Sequence, residues 1–382
     1  MNPETMVLPW TLATVPHAVL DILRGCNVRC RDCFNSRPNR IKPLQEVESE
    51  LKSLMRRRKL HSLAIVGGEI TLHPELPEIV RMVRGHGLHV ELFTNGVDLT
   101  SGLLGNLAKA GAEFIILHIE TGQKRPDLVE ESTVQDIRKL RAQKASMITD
   151  FGMEAGLAVT LYPGKLEEAK EAVEFTLDSP HVTFLLATLW RDVKGMPKLV
   201  GNLEKGIRQL ENGEETVKGK DDLEMPQIRS LLEETFDLTP FASVGSNLDE
   251  NDERWLSYLI AAVHSSGALR VRRCIRPTKV ERAFLEVTHK MTGRYPFFQN
   301  QKALRFAIHL LLNGLAGGAF SAHAHLLSQC IGPAARLSAK RLVFQSPARI
   351  DNQGRLIYCH CCPDAVLAED GLVPLCISDL IS

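Results

Sequence analysis

Three cysteines near the start of the sequence have the spacing of an iron–sulfur site. Cys26, Cys30 and Cys33 form a C-x3-C-x2-C motif. Because iron–sulfur clusters are held by cysteine thiolates, usually four, three thiolates would leave one iron of a [4Fe–4S] cubane free to bind another molecule. A structural zinc ion prefers four ligands, typically in two pairs, so a zinc site completed by a distant His or Cys fits this spacing less well. We therefore predict that these three cysteines hold a [4Fe–4S] cluster.

A second group of cysteines lies near the end of the sequence. Cys359 and Cys362 form a C-x2-C pair, Cys361 lies between them, and Cys376 follows further along the chain. In a reducing compartment, clustered cysteines bind metals or do redox chemistry more often than they form disulfides. All four are candidate ligands of a second [4Fe–4S] cluster. A structural zinc site made from these cysteines or His360 stays open, although the spacing favours the cluster.

The elements that must position these cysteines follow a repeated pattern. Between about residues 18 and 188, short apolar runs such as SLAIVGGE and FIILHIET alternate with amphipathic stretches such as VESELKSLMRRR. Strand and helix repeated in this way predict a parallel sheet with crossover helices. Six units fit an open, partial (β/α)6 barrel over residues 1–194 better than a full eight-unit barrel. Functional residues of such folds lie at the carboxyl ends of the strands.

Two short motifs follow the next two predicted strands. Gly67-Gly68-Glu69 follows the second strand and Thr94-Asn95-Gly96 follows the third. Together with the C-x3-C-x2-C motif after the first strand, this ordered set resembles the radical S-adenosylmethionine (SAM) superfamily over roughly residues 18–190. One position departs from the family pattern. An aromatic residue usually precedes the third cysteine, whereas here Asp32 does and Phe34 follows it.

The resemblance implies a chemistry and a set of roles. The open iron would bind SAM, and an electron from the cluster would cleave it to methionine and a 5′-deoxyadenosyl radical that abstracts hydrogen from a substrate. Reduced flavodoxin or ferredoxin would supply the electron. Glu69 would bind the methionine ammonium, Gly67 and Gly68 would allow close backbone approach, and Phe34 would lie near the adenine. Thr94 and Asn95 would bind the ribose or the carboxylate, with an ordinary turn as the alternative.

The fourth predicted strand ends in two further polar residues. His118 and Glu120 alternate with apolar neighbours, so both side chains should point to the same face of the strand. Two interpretations stay open. The pair contacts SAM directly, or it forms a hydrogen-bonded polar pair that fills the mouth of the barrel.

The rest of the chain divides into three parts. Residues 195–252 are polar and predict a linker with surface helices. Residues 253–345, including WLSYLIAAVHSS, predict a helical block whose aromatic residues form a second core or an apolar substrate pocket. In residues 346–382, ARIDNQGRLIYC and AVLAEDGLVPLC predict two β-hairpins that carry the cysteines. This tail resembles the cluster regions of the molybdenum-cofactor GTP-cyclising family and of SPASM-type enzymes. The chain lacks the terminal Gly-Gly of the GTP-cyclising family, so we do not predict GTP as the substrate.

Composition narrows the possible functions. The chain has 382 residues, of which 44% are hydrophobic, so it can bury a sizeable core. Lys and Arg together number 46, as do Asp and Glu, which argues against a global basic face for nucleic acid or a polybasic anchor. We read neither a signal peptide nor a transmembrane segment and expect a cytoplasmic protein. We predict a radical SAM enzyme acting on a small molecule, lipid or peptide. The alternative is a non-catalytic iron–sulfur or zinc protein on the same scaffold.

Overall fold

A computed structural model describes most of the chain. The described residues are 5–31, 33, 35, 39–129, 132–192, 199–200, 209–210, 223–297, 303–332, 334–351, 353–368 and 371–380. Phe34, predicted to lie near the adenine, is outside them. Within the described residues, no helix is both long and apolar enough to cross a lipid bilayer.

Strands and helices alternate through the first half of the chain. In chain order they are β1 (Met6–Val7), β2 (His17–Asp21), β3 (Arg29–Cys30), α1 (Leu44–Arg57), β4 (Ser62–Val66), α2 (Leu76–Gly85), β5 (His89–Thr94), α3 (Ser101–Ala110), β6 (Phe114–His118), β7 (Gln123–Lys124), α4 (Val134–Asp150), β8 (Glu154–Leu161), α5 (Leu166–Asp178) and β9 (Val182–Leu189).

The parallel sheet predicted from the alternation is confirmed. Strands β2, β4, β5, β6, β8 and β9 lie side by side in that order, and every neighbouring pair is parallel. One helix, α1 to α5, connects each strand to the next. Because the strands are parallel, the carboxyl ends of all six lie at the same edge of the sheet.

Side-chain caps fix where two of the helices begin. Thr100 accepts a hydrogen bond at the start of α3, and Thr133 forms a capping box with Asp136 at the start of α4.

The second half of the chain extends this sheet. Its elements are β10 (Leu199–Val200), β11 (Gln209–Leu210), α6 (Met225–Phe236), β12 (Ala242–Val244), β13 (Trp255–Ser265), β14 (Ala268–Ile275), α7 (Lys279–Thr292), α8 (Ala303–Gly317), α9 (Phe320–Ser328), β15 (Ala335–Gln345), β16 (Arg349–Ile350), β17 (Leu356–Ile357), β18 (Ala365–Ala368) and β19 (Gly371–Pro374). Strand β15 pairs parallel to β9, and β13 pairs antiparallel to β15. Strands β12 and β14 pair with β13, and β1 pairs with β12.

The prediction of helix for WLSYLIAAVHSS is wrong. Residues Trp255–Ser265 form β13, a strand paired on both sides and buried at nine of its eleven positions. A strand buried on both faces has no apolar–polar alternation, so its sequence pattern cannot be told from that of a buried helix. The helices predicted for VERAFLEVTHKM and ALRFAIHLLLNGL are confirmed as α7 and α8, and α9 is helical as well. The predicted helical block is wrong also at β14 and β15, which are strands.

The two predicted hairpins of the tail are present and pack against the start of the chain. Strands β16 and β17 form the first hairpin, and β18 and β19 form the second. Val366 and Val373 of the second hairpin lie in one apolar cluster with Val19 of β2 and Ala64 of β4. The tail also forms an ion pair between Asp379 and Arg24, with 3.4 Å between Oδ1 and Nη1. The end of the described chain therefore covers one face of the first strands.

A buried histidine in β2 makes the fold sensitive to acid. The His17 side chain is buried, its Nδ1 lies 2.7 Å from Ser62 Oγ, and its ring stacks on Phe297. Burial, together with the charge of Arg58, lowers the pKa of His17 to about 3. Between this value and the ordinary histidine pKa of about 6.5, the unfolded chain binds more protons than the folded one. The contribution of His17 to the free energy of unfolding is therefore lost as the pH falls below the ordinary histidine pKa of about 6.5.

Replacing His17 should flatten this pH dependence. Between about pH 7.5 and about pH 5, we expect wild type to lose about 2 kcal/mol more unfolding free energy than His17→Gln. Urea denaturation at both pH values measures the difference. His86→Gln, at an exposed position, is the matched control for loss of a histidine side chain. Equal pH dependence in His17→Gln and wild type would contradict the prediction.

Candidate functional site

The loop that carries the first cysteines is held by the Gly-Gly-Glu motif. The N–H of Gly68 donates to the carbonyl of Leu23, and the N–H of Glu69 donates to the carbonyl of Gly25, both at 2.8 Å. These bonds continue the pairing of β2 with β4 past the strand ends, to the residue just before Cys26. The motif therefore fixes where the cysteine loop begins.

The two glycines are required by this close approach. A Cβ on Gly67 would lie 2.5 Å from the Leu23 carbonyl oxygen, and one on Gly68 would lie 2.1 Å from the Gly25 carbonyl oxygen. Both distances are far shorter than a carbon–oxygen van der Waals contact. The close backbone approach predicted for Gly67 and Gly68 is thus present, and its partner is the cysteine loop.

Glu69 is a buried carboxylate surrounded by neutral donors. Its Oε1 accepts from the Thr71 N–H at 3.0 Å, from the Thr71 hydroxyl at 2.7 Å and from the Thr94 hydroxyl at 2.5 Å. Among the described residues, its Oε2 accepts the N–H of Asn95 alone, at 2.7 Å. Only 1% of Glu69 is exposed, and it has no ion pair within the described residues. One acceptor site on Oε2 and a full negative charge remain available.

Asn95 connects the end of β5 to the cysteine loop. Its Nδ2 donates to Asn27 Oδ1 at 2.7 Å and lies 3.7 Å from the sulfur of Cys26. Asn27 in turn donates to Asp98 Oδ2 at 2.7 Å. The predicted contact of Thr94 and Asn95 with ribose or carboxylate stays a prediction. In this structure Thr94 and Asn95 hold Glu69 and the cysteine loop.

The end of β6 holds the other side of the cysteine loop. Strand β3 pairs antiparallel with β7, which places Cys30 opposite Gln123. Gln123 Nε2 lies 3.5 Å from the Cys30 sulfur and also donates to the carbonyl of His118, at 3.1 Å. Two cysteine sulfurs thus each face an amide N–H donor.

His118 and Glu120 form a polar pair at this edge of the sheet. His118 Nε2 lies 3.3 Å from Glu120 Oε1, and Glu120 Oε2 accepts the N–H of Thr160 at 2.5 Å. Burial opposes the charged imidazole, but the Glu120 carboxylate and the Cys30 thiol together hold the pKa of His118 well above its ordinary value. The pair fits the interpretation of a hydrogen-bonded filler of the barrel mouth, and its contact with SAM stays a prediction.

Sequence reasoning missed Arg125. Its guanidinium is buried and donates to the Asn95 carbonyl at 2.9 Å, to Gln123 Oε1 at 2.9 Å and to Asp127. Arg125 therefore joins the two segments that contact Cys26 and Cys30. The sequence gives one indication of this role, which is the position of Arg125 shortly after the fourth predicted strand. Because an arginine in a loop is usually exposed, that position alone did not predict a buried guanidinium.

Cys26 and Cys30 of the loop lie close enough for their charges to interact. Burial raises the pKa of the Cys26 thiol, with smaller contributions in the same direction from the charges of Glu69 and Cys30. Within the described residues, no three or more His, Cys, Asp or Glu side chains are arranged to hold a metal ion. The ligand roles of Cys26, Cys30 and Cys33 stay a prediction. The donor set fits an iron–sulfur cluster, because it offers thiols, amide N–H donors and an uncompensated carboxylate.

Three of the four tail cysteines lie together. Cys359 forms a β-bridge with Ser246. A hydrogen bond with Cys359, burial, and the charges of Cys359 and Cys376 together raise the pKa of Cys362 well above its ordinary value. Burial raises the pKa of Cys376 to about 12, with a further contribution from Cys359. Thiols that resist ionisation in this way need a bound metal to become thiolates.

Cys361 is placed differently. Only 2% of it is exposed, its thiol donates to the Trp10 carbonyl at 3.3 Å, and it packs in a cluster with Trp10 and Trp255. Burial raises the pKa of this thiol to about 11. The arrangement is that of a small buried hydrophobe, and a metal-binding role for Cys361 stays a prediction without support from these contacts.

A buried arginine lies beside the tail cysteines. Arg254 is 1% exposed, and its Nη2 donates to the carbonyls of Ser346 and Pro347. The next N–H along the chain, that of Ala348, donates to the Cys376 sulfur at 3.5 Å. Arg254 Nε has no hydrogen-bond partner among the described residues. The positive charge lowers the cost of ionising Cys376 and is itself stabilised by Cys359.

Comparison with known proteins gives one family match. Residues 20–178 match the model of the radical SAM superfamily. A 7,8-dihydro-6-hydroxymethylpterin dimethyltransferase of Methanocaldococcus jannaschii is 30% identical over 119 residues, which are 29% of this chain and 24% of the relative. A GTP 3′,8-cyclase of Chlorobaculum tepidum is 33% identical over 112 residues, covering 28% of this chain and 34% of the cyclase.

Solved structures also match the chain. The crystal structure of Streptococcus suis SuiB bound to S-adenosylmethionine aligns at 18% identity with a TM-score of 0.43. It covers 60% of this chain and 48% of SuiB. This chain thus spans less than half the length of each of these three proteins.

Proposed function

Because this chain carries a radical SAM superfamily domain at residues 20–178, we propose that it is an enzyme that binds S-adenosylmethionine at a [4Fe–4S] cluster held by Cys26, Cys30 and Cys33. Such a cluster supplies the electron that cleaves the sulfonium C–S bond, giving methionine and a 5′-deoxyadenosyl radical. The protein's own residues hold the cluster, orient SAM and exclude water.

The uncompensated carboxylate of Glu69 carries the proposal. A buried carboxylate without a cation is costly, and it becomes favourable when a positive group pairs with it. The α-ammonium of SAM is a cation of suitable size for the acceptor site left on Oε2. Four neutral donors hold the carboxylate in place before SAM arrives, so little ordering is needed on binding.

The amide donors beside the cysteines support the cluster assignment. Asn95 Nδ2 lies near the Cys26 sulfur and Gln123 Nε2 lies near the Cys30 sulfur. Hydrogen bonds to the sulfurs of an iron–sulfur cluster help to set its reduction potential. Arg125 holds both amides through Gln123 Oε1 and the Asn95 carbonyl. We assign Asn95, Gln123 and Arg125 as positioning residues.

We also propose that the tail holds a second [4Fe–4S] cluster through Cys359, Cys362 and Cys376. The proximity of these thiols supports it, and the buried charge of Arg254 would offset the negative charge of the thiolates. A structural zinc ion in the same place is the alternative. The substrate is a small molecule, lipid or peptide, and the electron donor is reduced flavodoxin or ferredoxin.

Release of 5′-deoxyadenosine tests the main proposal. After anaerobic reconstitution with iron and sulfide, wild type incubated with SAM and dithionite should release it, and Cys30→Ala should not. Cys330→Ala is the matched control, because Cys330 lies outside both cysteine groups and should behave as wild type. A fully loaded wild-type protein that releases none would favour the non-catalytic alternative.

Metal analysis tests the second cluster. An iron content of about eight atoms per chain would support two cubanes, since each [4Fe–4S] cluster contains four irons. An iron content of about four atoms, together with one zinc, would support a structural zinc site in the tail.

Arg254 should raise the reduction potential of the tail cluster. In a Cys30→Ala background only the tail cluster remains, and its potential can be followed by electron paramagnetic resonance. Removing a nearby buried cation disfavours the more negative reduced state. We therefore expect Arg254→Met to lower the potential by tens of millivolts, whereas Arg254→Lys, which keeps the charge, should stay closer to wild type. An unchanged potential in a fully loaded Arg254→Met protein would contradict this role.

A further inference from the structure

Helix α8 is apolar on two opposite faces. One face buries Phe306 and Leu310 against the extended sheet. The other exposes large apolar side chains at helical spacings of four, four and three residues, namely Leu304 (73% exposed), Ile308, Leu312 and Leu315. Residues so spaced lie on one face of a helix. A helix that is apolar all round normally has both faces covered.

Helix α7, which packs against α8, exposes large apolar side chains as well. It exposes Phe284, Val287 and Met291, of which Met291 is 80% exposed. The two helices are joined by the buried Glu281, whose Oε1 lies 2.7 Å from His309 Nε2 and accepts from Asn313 Nδ2 at 2.9 Å. We call the exposed apolar residues of α7 and α8 the α7–α8 face. Many large apolar side chains exposed on two neighbouring helices are typical of an interaction site in soluble proteins.

The same part of the chain is strongly basic. Residues 268–317 contain ten Lys and Arg and only two acidic residues, whereas the whole chain has 46 of each class. The exposed cations of β14, α7 and α8 and of the turn between β14 and α7 are Arg270, Arg273, Arg276, Lys279, Arg282, Lys290 and Arg305. The overall neutrality of the chain conceals this local excess of positive charge.

We propose that the α7–α8 face binds the surface of a membrane that contains anionic phospholipids. An amphipathic helix with Phe and Leu on one side and Lys and Arg around it lies in the interfacial plane with its apolar side among the acyl chains. Each nearby cation is attracted to the negative surface of an anionic leaflet. Burial of apolar side chains and charge attraction together give the two signals that stable peripheral binding requires.

The charges disfavour a second copy of the chain as the occupant. Two α7–α8 faces in contact would bring together the exposed Lys and Arg side chains of both copies, and like charges in one interface repel. An anionic bilayer instead attracts these cations and accepts the apolar side chains. The proposal does not depend on SAM or on either cluster, so it can fail while the proposed function stands.

Vesicle sedimentation tests the apolar part of the proposal. The full chain is mixed with vesicles of phosphatidylcholine alone or with phosphatidylglycerol added, and the bound fraction is measured. We expect binding to the anionic vesicles and a loss of at least about tenfold in Leu304→Glu/Leu312→Glu. Val134→Glu is the matched control, since Val134 is an exposed apolar residue at the start of α4. Leu304, Leu312 and Val134 are all exposed, so both variants should keep the wild-type melting temperature.

Charge reversal tests the electrostatic part. Lys279→Glu/Lys290→Glu should weaken binding to anionic vesicles several-fold, and added salt should weaken wild-type binding. Lys109→Glu, on the exposed side of α3, should have little effect. Absence of wild-type binding to anionic vesicles would overturn the proposal, as would equal loss in the test and control variants. A dimer in solution that Leu312→Glu dissociates would also overturn it, because a second copy would then cover the face.

Discussion

One methyl group at position 68 is expected to prevent binding of the cluster that we propose for Cys26, Cys30 and Cys33. In Gly68→Ala the new Cβ would lie 2.1 Å from the carbonyl oxygen of Gly25 and 2.6 Å from its carbonyl carbon. Both are backbone atoms, so no flexible side chain can move aside. The cysteine loop must therefore shift by more than an ångström just before Cys26. We expect iron bound at this site to fall by at least about tenfold, since misplaced ligands lose metal affinity steeply.

The measurement is iron content and 5′-deoxyadenosine release after reconstitution of Gly68→Ala. Gly85→Ala is the matched control, because a Cβ at Gly85 meets no described atom within 4 Å. Gly85 lies at the end of α2, where alanine is compatible with the helix. A Gly68→Ala protein with full iron content and wild-type activity would show that the cysteine loop does not depend on this close contact.

Neutralising Glu69 is expected to weaken SAM binding while leaving the cluster in place. In Glu69→Gln the amide has one oxygen and one NH2 group, so the NH2 group must face either the Asn95 N–H or the threonine donors. The negative charge is lost as well, and with it the pairing proposed for the SAM ammonium. A charge-assisted hydrogen bond in a buried site contributes about 1.5–3 kcal/mol. The dissociation constant for SAM should therefore rise by about tenfold or more.

Calorimetric titration of SAM into the reconstituted protein measures this constant, and the iron content shows whether the cluster is retained. Glu48→Gln, at a half-exposed site on α1, should bind SAM as wild type does. Unchanged affinity in a fully loaded Glu69→Gln protein would mean that the ammonium binds elsewhere. Glu69 would then serve only to hold Thr71, Thr94 and Asn95.

The parallel sheet could be predicted from the sequence because the pattern that indicates each strand lies within a few neighbouring residues. Each strand of the parallel half is a short apolar run bounded by an amphipathic stretch, and the two motifs that follow β4 and β5 lie where that pattern places them. The same reasoning failed at Trp255–Ser265. There alternate residues of the strand lie in two different apolar clusters, so both faces are covered and no alternation survives in the sequence.

The roles of individual polar residues were harder to predict, because they depend on contacts between distant segments. Arg125 and Arg254 belong to no sequence motif. Their roles become visible only in the folded chain, where each is buried and donates to a backbone carbonyl that is distant in sequence, Asn95 for Arg125 and Ser346 for Arg254. Cys361 shows the converse. Its place between Cys359 and Cys362 made it a candidate ligand, but the folded chain turns its thiol toward Trp10. Spacing identifies the group of cysteines and does not say which way each side chain points.

The packing of the tail on β2 and β4 has a consequence for biosynthesis. Val366 and Val373 cover Val19 and Ala64, Asp379 reaches Arg24, and β1 pairs with β12. While the ribosome is still making the second half, the first half has already emerged with this apolar surface open to solvent. The first half should therefore complete its folding only after release of the finished polypeptide. A fragment that ends after α5 should be recovered mainly in inclusion bodies.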